Sequence, residues 1–479
     1  MFPAIDRFLE NRGQTLIRWG LIAFALFAPA YLISTGRQSS TEALVGLVLL
    51  AVIWKVIGPV GVLSLLAVFI WSSRSAPGLF YRLTGPIWET ANLIEVGIYA
   101  WLALLLANQV IRKRQGGKFI VPPYSGLLGL FLVGGTVALV AGGAPDKRYA
   151  WAMLWRICVA PLALYILVGN YIKDRRNGER VLWGLVLGGL ILAAVQLTGW
   201  GDVSSTLGYD IQAERLSGSY SFGPLGIVRM GLNTGAVFLG LSAVLAWSIV
   251  INVRNRWQRW AGIASVLVLG WVIFQMGTRS VWIAVPVAFL AVVLLSIRRG
   301  VARFQWAGLM VVLMVTGAAV AFGLEQLDVE LLRRLQTMTT ATELLADPTW
   351  RVRVDLWRSG LSILGRNPLG TGYIAALPPF YYSTHSEYLA LALATGIPGL
   401  MALVAFVLLW ARRVVFALRF NRDPEADWIL PGALGCLVAF AIAAVAADPS
   451  KKFYPYMAFW MILSVGMAVA QGSLIRERM

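Results

Sequence analysis

The chain has 479 residues, of which 58% are hydrophobic and only 13% are charged. Ordinary globular domains carry about 45–50% apolar and about 25% charged residues, so the composition argues against a soluble enzyme and against a disordered chain. The formal net charge of +18 would suggest nucleic-acid binding in a soluble protein. In a membrane protein it indicates loops beside an anionic lipid surface instead, so no nucleic-acid partner is expected.

Long apolar runs recur along the chain, and a helix that spans a bilayer needs about 20 such residues. The runs are 19–34, 43–56, 58–72, 88–111, 124–142, 150–172, 181–199, 231–251, 259–276, 280–297, 305–324, 398–417, 429–447 and 453–471. The second and third are short and form either two short spans or a re-entrant pair, which gives 12 to 14 transmembrane helices. We therefore predict an all-α polytopic membrane protein.

Lys and Arg cluster between these runs, and from the fourth run onward the clusters fall in every second loop. The positive-inside rule places such loops in the cytoplasm, so we predict that both termini are cytoplasmic. The intervening loops then face outward, and two of them are too long to be plain connectors. The predicted organisation is an N-terminal transmembrane bundle at 1–199, an outer loop at 200–230, central transmembrane helices at 231–324, a large outer loop at 325–397 and C-terminal transmembrane helices at 398–479.

One histidine, His385, occurs in the whole sequence, near the end of the large outer loop. It follows Thr384, a residue type that caps helices, and so we expect it at the start of a helix. Because a helix N-terminus disfavours a protonated imidazole, His385 is a candidate general base for an alcohol nucleophile. The alternative is an interfacial histidine with one structural hydrogen bond, and a lone histidine is weak evidence by itself.

Several arginines lie where the charge pattern predicts the outer side. Arg279 lies in a tight turn between two apolar runs, and Arg351 and Arg353 open a helical pattern in the large outer loop. Guanidinium groups bind phosphate in bidentate fashion, so these residues are candidates for an anion clamp. The alternatives are a snorkelling Arg279 and a solvated helix face for the other two. Within the membrane, we predict that Glu95 pairs with Arg156.

The sequence lacks the motifs of cofactor-dependent enzymes. It has no P-loop, no dinucleotide-binding fingerprint and no His/Cys set with metal-ligand spacing. Its two cysteines, Cys158 and Cys436, both lie inside apolar runs, so no disulfide framework is predicted. We therefore predict a protein without metal or other cofactor.

Three segments carry a resemblance to a known family. His-Ser-Glu-Tyr-Leu at 385–389, followed by Gly-Ile-Pro-Gly-Leu at 396–400, resembles the signature of the O-antigen ligase/polymerase superfamily. Thr-Arg-Ser at 278–280 looks like the Ser/Thr-Arg turn that opens the ligase domain of that family. The similarity is strongest over 279–400.

Further elements match in the same order. Arg353 and Trp357, followed by Asn-Pro-Leu-Gly-Thr-Gly at 367–372, are similar to the Arg-x-x-x-Trp and Pro-Leu-x-Gly-x-Gly stretch of the family. Upstream, Arg-Leu-Ser-Gly at 215–218 is similar to an Arg-x-x-Gly element. The residue after His385 is Ser where Asn is common, so the subfamily stays open.

The resemblance implies a metal-independent, inverting glycosyltransferase of the bacterial inner membrane, with a GT-C-like helical fold and a periplasmic, catalytic loop at 325–397. Its donor would be a glycan on undecaprenyl pyrophosphate, and its acceptor a hydroxyl group. His385 would be the base, and Arg279 and Arg353 would bind the pyrophosphate. The candidate substrate-binding residues are Arg215, Arg351, Tyr381, Tyr382 and Glu387. Tyr381 and Tyr382 would either stack on sugar rings or pack the loop onto the bundle.

The acceptor stays open at this stage. It is the lipid A–core in a ligase, another carrier-linked glycan in a polymerase, and Ser or Thr in a protein O-glycosyltransferase. The ligase is our leading hypothesis. A transporter of lipid or polysaccharide is the alternative from another class, although transporters concentrate their polar groups near the membrane midplane, whereas this chain concentrates them in outward loops.

Overall fold

The computed structural model describes residues 58–68, 70, 120–142, 147–172, 174–198, 232–276, 278–297, 348–372, 384–420, 428–447, 449 and 453–478. Within these ranges the regular secondary structure is helical, without strands. The predicted apolar runs 19–34, 43–56, 88–111 and 305–324 lie outside the described residues, as do Glu95, Arg215, Tyr381 and Tyr382. The helix total of 12 to 14 therefore stays a prediction.

The described helices follow the remaining apolar runs in chain order. They are α1 Gly58–Val68, α2 Ser125–Ala141, α3 Lys147–Leu154, α4 Ala160–Tyr171, α5 Arg175–Thr198, α6 Leu232–Asn252, α7 Arg256–Met276, α8 Arg279–Ile297, α9 Pro348–Arg366, α10 Glu387–Phe420, α11 Ile429–Ala443 and α12 Phe453–Arg478. A π-helical turn, Trp155–Val159, joins α3 to α4. Every helix except α9 corresponds to a predicted run; α9 corresponds to the helical pattern in the large outer loop.

Five helical segments in the described part of the chain are long and apolar enough to cross a membrane. They are Gly235–Asn252, Arg256–Met276, Arg279–Ile297, Glu387–Arg419 and Pro455–Leu474. These helices, with the absence of strands from the described ranges, confirm an all-α polytopic membrane protein.

Helix α6 forms the centre of the bundle, and all of Gly235–Asn252 is buried. It packs against α5, α7, α8, α11 and α12. Polar side chains tie it to its neighbours, because Ser248 Oγ donates to the carbonyl of Trp428 at 2.6 Å and Ser242 Oγ to that of Leu185 at 3.1 Å. Close packing and such interhelical hydrogen bonds are what hold helices together in lipid, where the hydrophobic effect between helices is lost.

The contacts of α6 also give the direction of two neighbouring helices. A Cβ on Gly240 would lie 3.2 Å from Val281, at the start of α8, and Trp247 Nε1 donates to the carbonyl of Phe289 at 3.2 Å, further along α8. Helices α6 and α8 therefore run in the same direction. Helix α11 runs oppositely, because its Cys436 lies 3.4 Å from the carbonyl of Leu241, whereas Ser248 bonds to Trp428 just before α11 begins.

The start of α8 and the end of α11 thus lie at the same end of the bundle, which we call the site end. Helix α10 also begins there, since the N–H of Glu387 donates to the carbonyls of Ala444 and Ala447, just after α11. The first residues of α5 and α7, Arg175 and Arg256, and the last turn of α10, with Arg419, lie at the opposite end. These three basic helix ends therefore lie away from the site end, whereas Arg279, the first residue of α8, lies at it.

Candidate active site

The segment that carries His385 is a short loop held on two sides. On one side, Trp357 Nε1 of α9 donates a hydrogen bond to the carbonyl of Thr384 at 3.0 Å. On the other, the Tyr388 hydroxyl donates to the carbonyl of Ala441 in α11 at 2.8 Å. Within the loop, Thr384 Oγ1 donates to the carbonyl of Ser386 at 2.8 Å and accepts from the Ser386 N–H at 3.3 Å. The loop is therefore bonded to α9, and the first turn of α10 that follows it is bonded to α11.

His385 has a backbone conformation that few non-glycine residues adopt. Its φ is 52°, in the left-handed region, and it comes two residues before α10 begins at Glu387. A non-glycine residue in this region costs about 1–2 kcal/mol, and such strain persists where the surrounding bonds over-determine the backbone. The bonds to Thr384, Ser386 and Glu387 supply that support. The residue as a whole is half-buried.

Helix α9 has an inner face, which packs on α10, and an exposed outer face. The inner face places Leu356, Trp357, Ile363 and Leu364 against Leu389 and Leu393 of α10. A Cβ on Gly360 would lie 2.6 Å from Leu389, so the two helices approach closely at that point. The outer face bears four exposed charged residues, Arg351, Asp355, Arg358 and Arg366.

The two predicted arginines of α9 differ in placement. Arg353 is half-buried and lies one helical turn before Trp357, on the side of the helix that approaches the His385 loop. Arg351 is exposed on the outer face. Of the pair, Arg353 is therefore the one on the face of α9 that bonds to the His385 segment.

Arg279 is the first residue of α8 and lies at the site end. The carbonyl of Thr278 before it accepts hydrogen bonds from the N–H groups of Val281 at 3.0 Å and Trp282 at 3.1 Å, which closes the first turn. Arg279 is half-buried. A helix N-terminus carries partial positive charge, and a guanidinium at that position adds to it, so this corner favours an anion.

Glu387 lies inside the protein rather than at its surface. The residue is 1% exposed and is the first residue of α10, where the helix dipole favours a carboxylate. Its predicted substrate-binding role stays a prediction.

The turn at 367–372 is built into a break in α10. The break occurs at Gly396, where φ is 75° and ψ is 170°. The Ile397 N–H donates to the carbonyl of Pro368 at 2.9 Å, and the Leu393 carbonyl accepts from the Thr371 N–H at 2.9 Å. The turn thereby replaces the helical bond between residues 397 and 393 and fixes the beginning of α10 against the end of α9.

Helix α2 also contributes to this corner, although it bears no charged or reactive residue that would predict such a role. A Cβ on Gly134 would lie 2.8 Å from the carbonyl of Thr395 and 2.9 Å from Cα of Gly399. A Cβ on Gly142 would lie 2.3 Å from the carbonyl carbon of Thr371. The visible signal was the pairs of glycines at 134–135 and 142–143, which permit close approach of helices in lipid.

A small apolar cavity lies where these elements meet. It is lined by Gly135, Leu139, Ala150, Leu154, Ile157, Cys158, Gly372, Ala394 and Thr395. The lining joins α2, the π-helical turn, the 367–372 turn and α10 at the break. The side chains of His385, Arg279 and Arg353 are not among its lining residues, so this cavity is separate from the predicted reactive groups.

Comparison with known protein families gives a match to part of the chain. Residues 270–404 match the family described as O-Antigen ligase. The matched segment contains α8, α9, the His385 loop and the first part of α10. A search of curated proteins found no match.

Proposed function

Since residues 270–404 place this chain in the O-antigen ligase/polymerase superfamily, we propose that it transfers a glycan from undecaprenyl pyrophosphate to an acceptor hydroxyl group. Family membership makes the protein a membrane glycosyltransferase of the ligase or polymerase type. The donor, the acceptor, the residue roles and the side of the membrane are the proposal. We favour a ligase, whose acceptor is the lipid A–core.

In the proposed reaction, the acceptor oxygen attacks the anomeric carbon of the donor sugar. The bond between that carbon and the pyrophosphate oxygen breaks, and the anomeric configuration inverts. His385 takes the hydroxyl proton, and the departing lipid pyrophosphate carries the negative charge. Arg279 and Arg353 stabilise that charge with fixed guanidinium groups, which replaces a metal ion in this role.

The observation that carries the proposal is the hydrogen bond from Trp357 Nε1 to the carbonyl of Thr384. It attaches the inner face of α9, with Arg353, to the loop that presents His385. A base and a cation that lie 32 positions apart in the sequence are thus held on adjoining elements. Arg279 supports the same arrangement, because the start of α8 lies at the site end.

The distribution of charge supports a periplasmic site. Helix ends with Arg175, Arg256 and Arg419 lie opposite the site end, and the positive-inside rule places such ends in the cytoplasm. The site end then faces the periplasm in the bacterial inner membrane. Carrier-linked glycans and the lipid A–core would reach it there from the outer leaflet.

The test is transfer by the reconstituted full-length protein. A purified undecaprenyl-pyrophosphate glycan is supplied with either lipid A–core or a second carrier-linked glycan, and products are resolved by mass. We expect His385→Ala and Arg353→Ala to lose roughly 100-fold or more in kcat, as removal of a general base or a transition-state donor does. Product with lipid A–core identifies a ligase, and an extended carrier-linked glycan identifies a polymerase.

The matched control for Arg353→Ala is Arg358→Ala. Arg358 is exposed on the outer face of the same helix, where it lies 3.6 Å from Asp355. We expect it to retain wild-type transfer. Full activity of His385→Ala and Arg353→Ala would refute the proposed mechanism, and absence of transfer to every acceptor by the wild-type protein would refute the proposed function.

A further inference from the structure

We propose that Glu387, Tyr456 and Arg156 form one buried polar unit that holds His385 in position, with Arg156 balancing the charge of Glu387. The inference rests on the proposed function for its effect on catalysis. Arg156 and Tyr456 are positioning residues in this account, and Glu387 changes from a substrate-binding candidate to a positioning residue.

The first support is the burial of two opposite charges. Among the charged side chains whose burial the structure describes, Arg156 and Glu387 are the two that are buried, with exposures of 6% and 1%. A charge inside a membrane protein is expensive unless an opposite charge or hydrogen bonds compensate it. A cation and an anion satisfy that requirement for each other when they lie close together in one bundle, which is the arrangement proposed for Arg156 and Glu387.

The second support is Tyr456, which contacts the segment of Arg156 and the helix that adjoins Glu387. Its hydroxyl donates to the carbonyl of Ile157, the residue after Arg156, at 3.1 Å. The Tyr456 ring also lies 6.5 Å, centroid to centroid, from the ring of Phe440 in α11, the helix whose end accepts a hydrogen bond from the Glu387 N–H. Tyr456 is itself 1% exposed. One side chain of α12 therefore connects the helix that adjoins Glu387 with the segment that carries Arg156.

The third support is the shape of that segment. Residues Trp155–Val159 form a π-helical turn, and the Ala160 N–H donates to the carbonyl of Trp155, one residue further back than in an α-helix. Such turns insert one residue into a helix and occur often at functional sites. The insertion changes the direction of the side chains that precede it, and the Tyr456 bond stabilises the altered backbone at Ile157.

The connection to His385 runs through the backbone. Glu387 is two residues from His385, and its N–H is held by the carbonyls of Ala444 and Ala447 at 2.9 and 3.0 Å. The strained φ of His385, 52°, needs a rigid neighbour on the helix side. If the charge of Arg156 were removed, the Glu387 side chain would move toward water, and the backbone at His385 would leave its strained conformation.

The experiment compares Arg156→Met, Glu387→Gln and the double variant in the full-length reconstituted protein. We expect Arg156→Met to lower kcat by roughly 10- to 100-fold, the range that small misplacement of a catalytic group produces, while KM for the donor is unchanged. Arg156→Lys keeps the charge and should retain most of the activity. Glu387→Gln removes the charge that needs balancing, so the double variant should unfold at a higher temperature than Arg156→Met alone.

Additive losses of thermal stability in the double variant would overturn the pairing, as would a raised KM with kcat intact. The stability comparison needs no glycan, so it tests the buried unit even if the wild-type protein transfers nothing. Absence of wild-type transfer would then count against the proposed function alone.

A matched pair of tyrosines separates positioning from general stability. Tyr165 is also 1% exposed, and its hydroxyl donates to the carbonyl of Pro123 at 2.9 Å, away from the site end. Tyr456→Phe and Tyr165→Phe each remove one buried hydrogen bond. We expect only Tyr456→Phe to lower kcat, and an equal loss of kcat in both variants, or in neither, would overturn the role of Tyr456.

Discussion

The N–H of Thr371 donates a hydrogen bond to the carbonyl of Leu393, 2.9 Å away, where the bond ladder of α10 is interrupted. The turn at 367–372 therefore supplies the hydrogen bonds that α10 lacks at its break. The arrangement depends on Gly396, at φ 75°, and on Gly370, at φ 88°, whose backbones approach within a distance that a Cβ would not permit.

Gly396→Ala should destabilise the protein strongly. The new Cβ would lie 2.5 Å from the carbonyl oxygen of Leu369, and alanine is disfavoured at this φ. The left-handed penalty and the overpacking together predict a loss of about 2–4 kcal/mol. Thermal unfolding in detergent measures it. Gly270→Ala, in α7 with nothing within 4 Å of its Cβ position, is the control and should be as stable as the wild type.

The contact between α2 and α10 predicts that alanine substitutions at two glycines of α2 differ in their effect on stability. Gly134→Ala places a Cβ 2.8 Å from the backbone carbonyl of Thr395, and backbone atoms cannot move aside as a side-chain end can. A loss of about 1–3 kcal/mol is expected. Gly129→Ala meets nothing within 4 Å and should be neutral. Equal unfolding temperatures for the two variants would show that α2 does not pack as described.

The length of the apolar runs predicted the helices. A run of about 20 uncharged residues in lipid must satisfy its own backbone hydrogen bonds, and a helix does so. Helix α9 was also predicted, from the helical pattern in the large outer loop. The predicted domain boundary between residues 397 and 398, where the outer loop meets the C-terminal helices, stays a prediction. The helix itself, however, begins at Glu387 and continues through the break.

That continuation has a physical reason which the sequence does not show. Gly396 and Pro398 are typical of a helix end, and a local pattern cannot report that Pro368 and Thr371 supply the missing hydrogen bonds. The π-helical turn at Arg156 could not be predicted from a 3.6-residue period either. It is stabilised by a hydrogen bond from Tyr456 to Ile157, and these residues are 299 positions apart. The features that could not be predicted from the sequence are thus those that depend on tertiary hydrogen bonds.

The orientation of the bundle predicts which surface positions react from outside the cell membrane. Val445, after α11 at the site end, is 47% exposed, and Arg254, between α6 and α7 at the opposite end, is exposed. In cells with a permeabilised outer membrane, Val445→Cys should react with a membrane-impermeant maleimide, and Arg254→Cys only after the inner membrane is broken. Cys158 and Cys436, at 1% and 0% exposure, should be silent in the unaltered protein. The reverse labelling pattern would place the site in the cytoplasm.

Substitutions at His385 can separate its backbone role from its chemical role. Glycine adopts φ 52° without penalty, so His385→Gly should relieve roughly 1 kcal/mol of strain and unfold at or above the wild-type temperature. Asparagine tolerates the same conformation but is no base at neutral pH. Both variants should therefore fold and both should lose glycan transfer. Tyr124→Asn is the control, since Tyr124 has φ 64° and lies before α2, opposite the site end, and it should retain transfer. Transfer by folded His385→Asn at the wild-type rate would remove His385 from the reaction and leave its conformation as its only role.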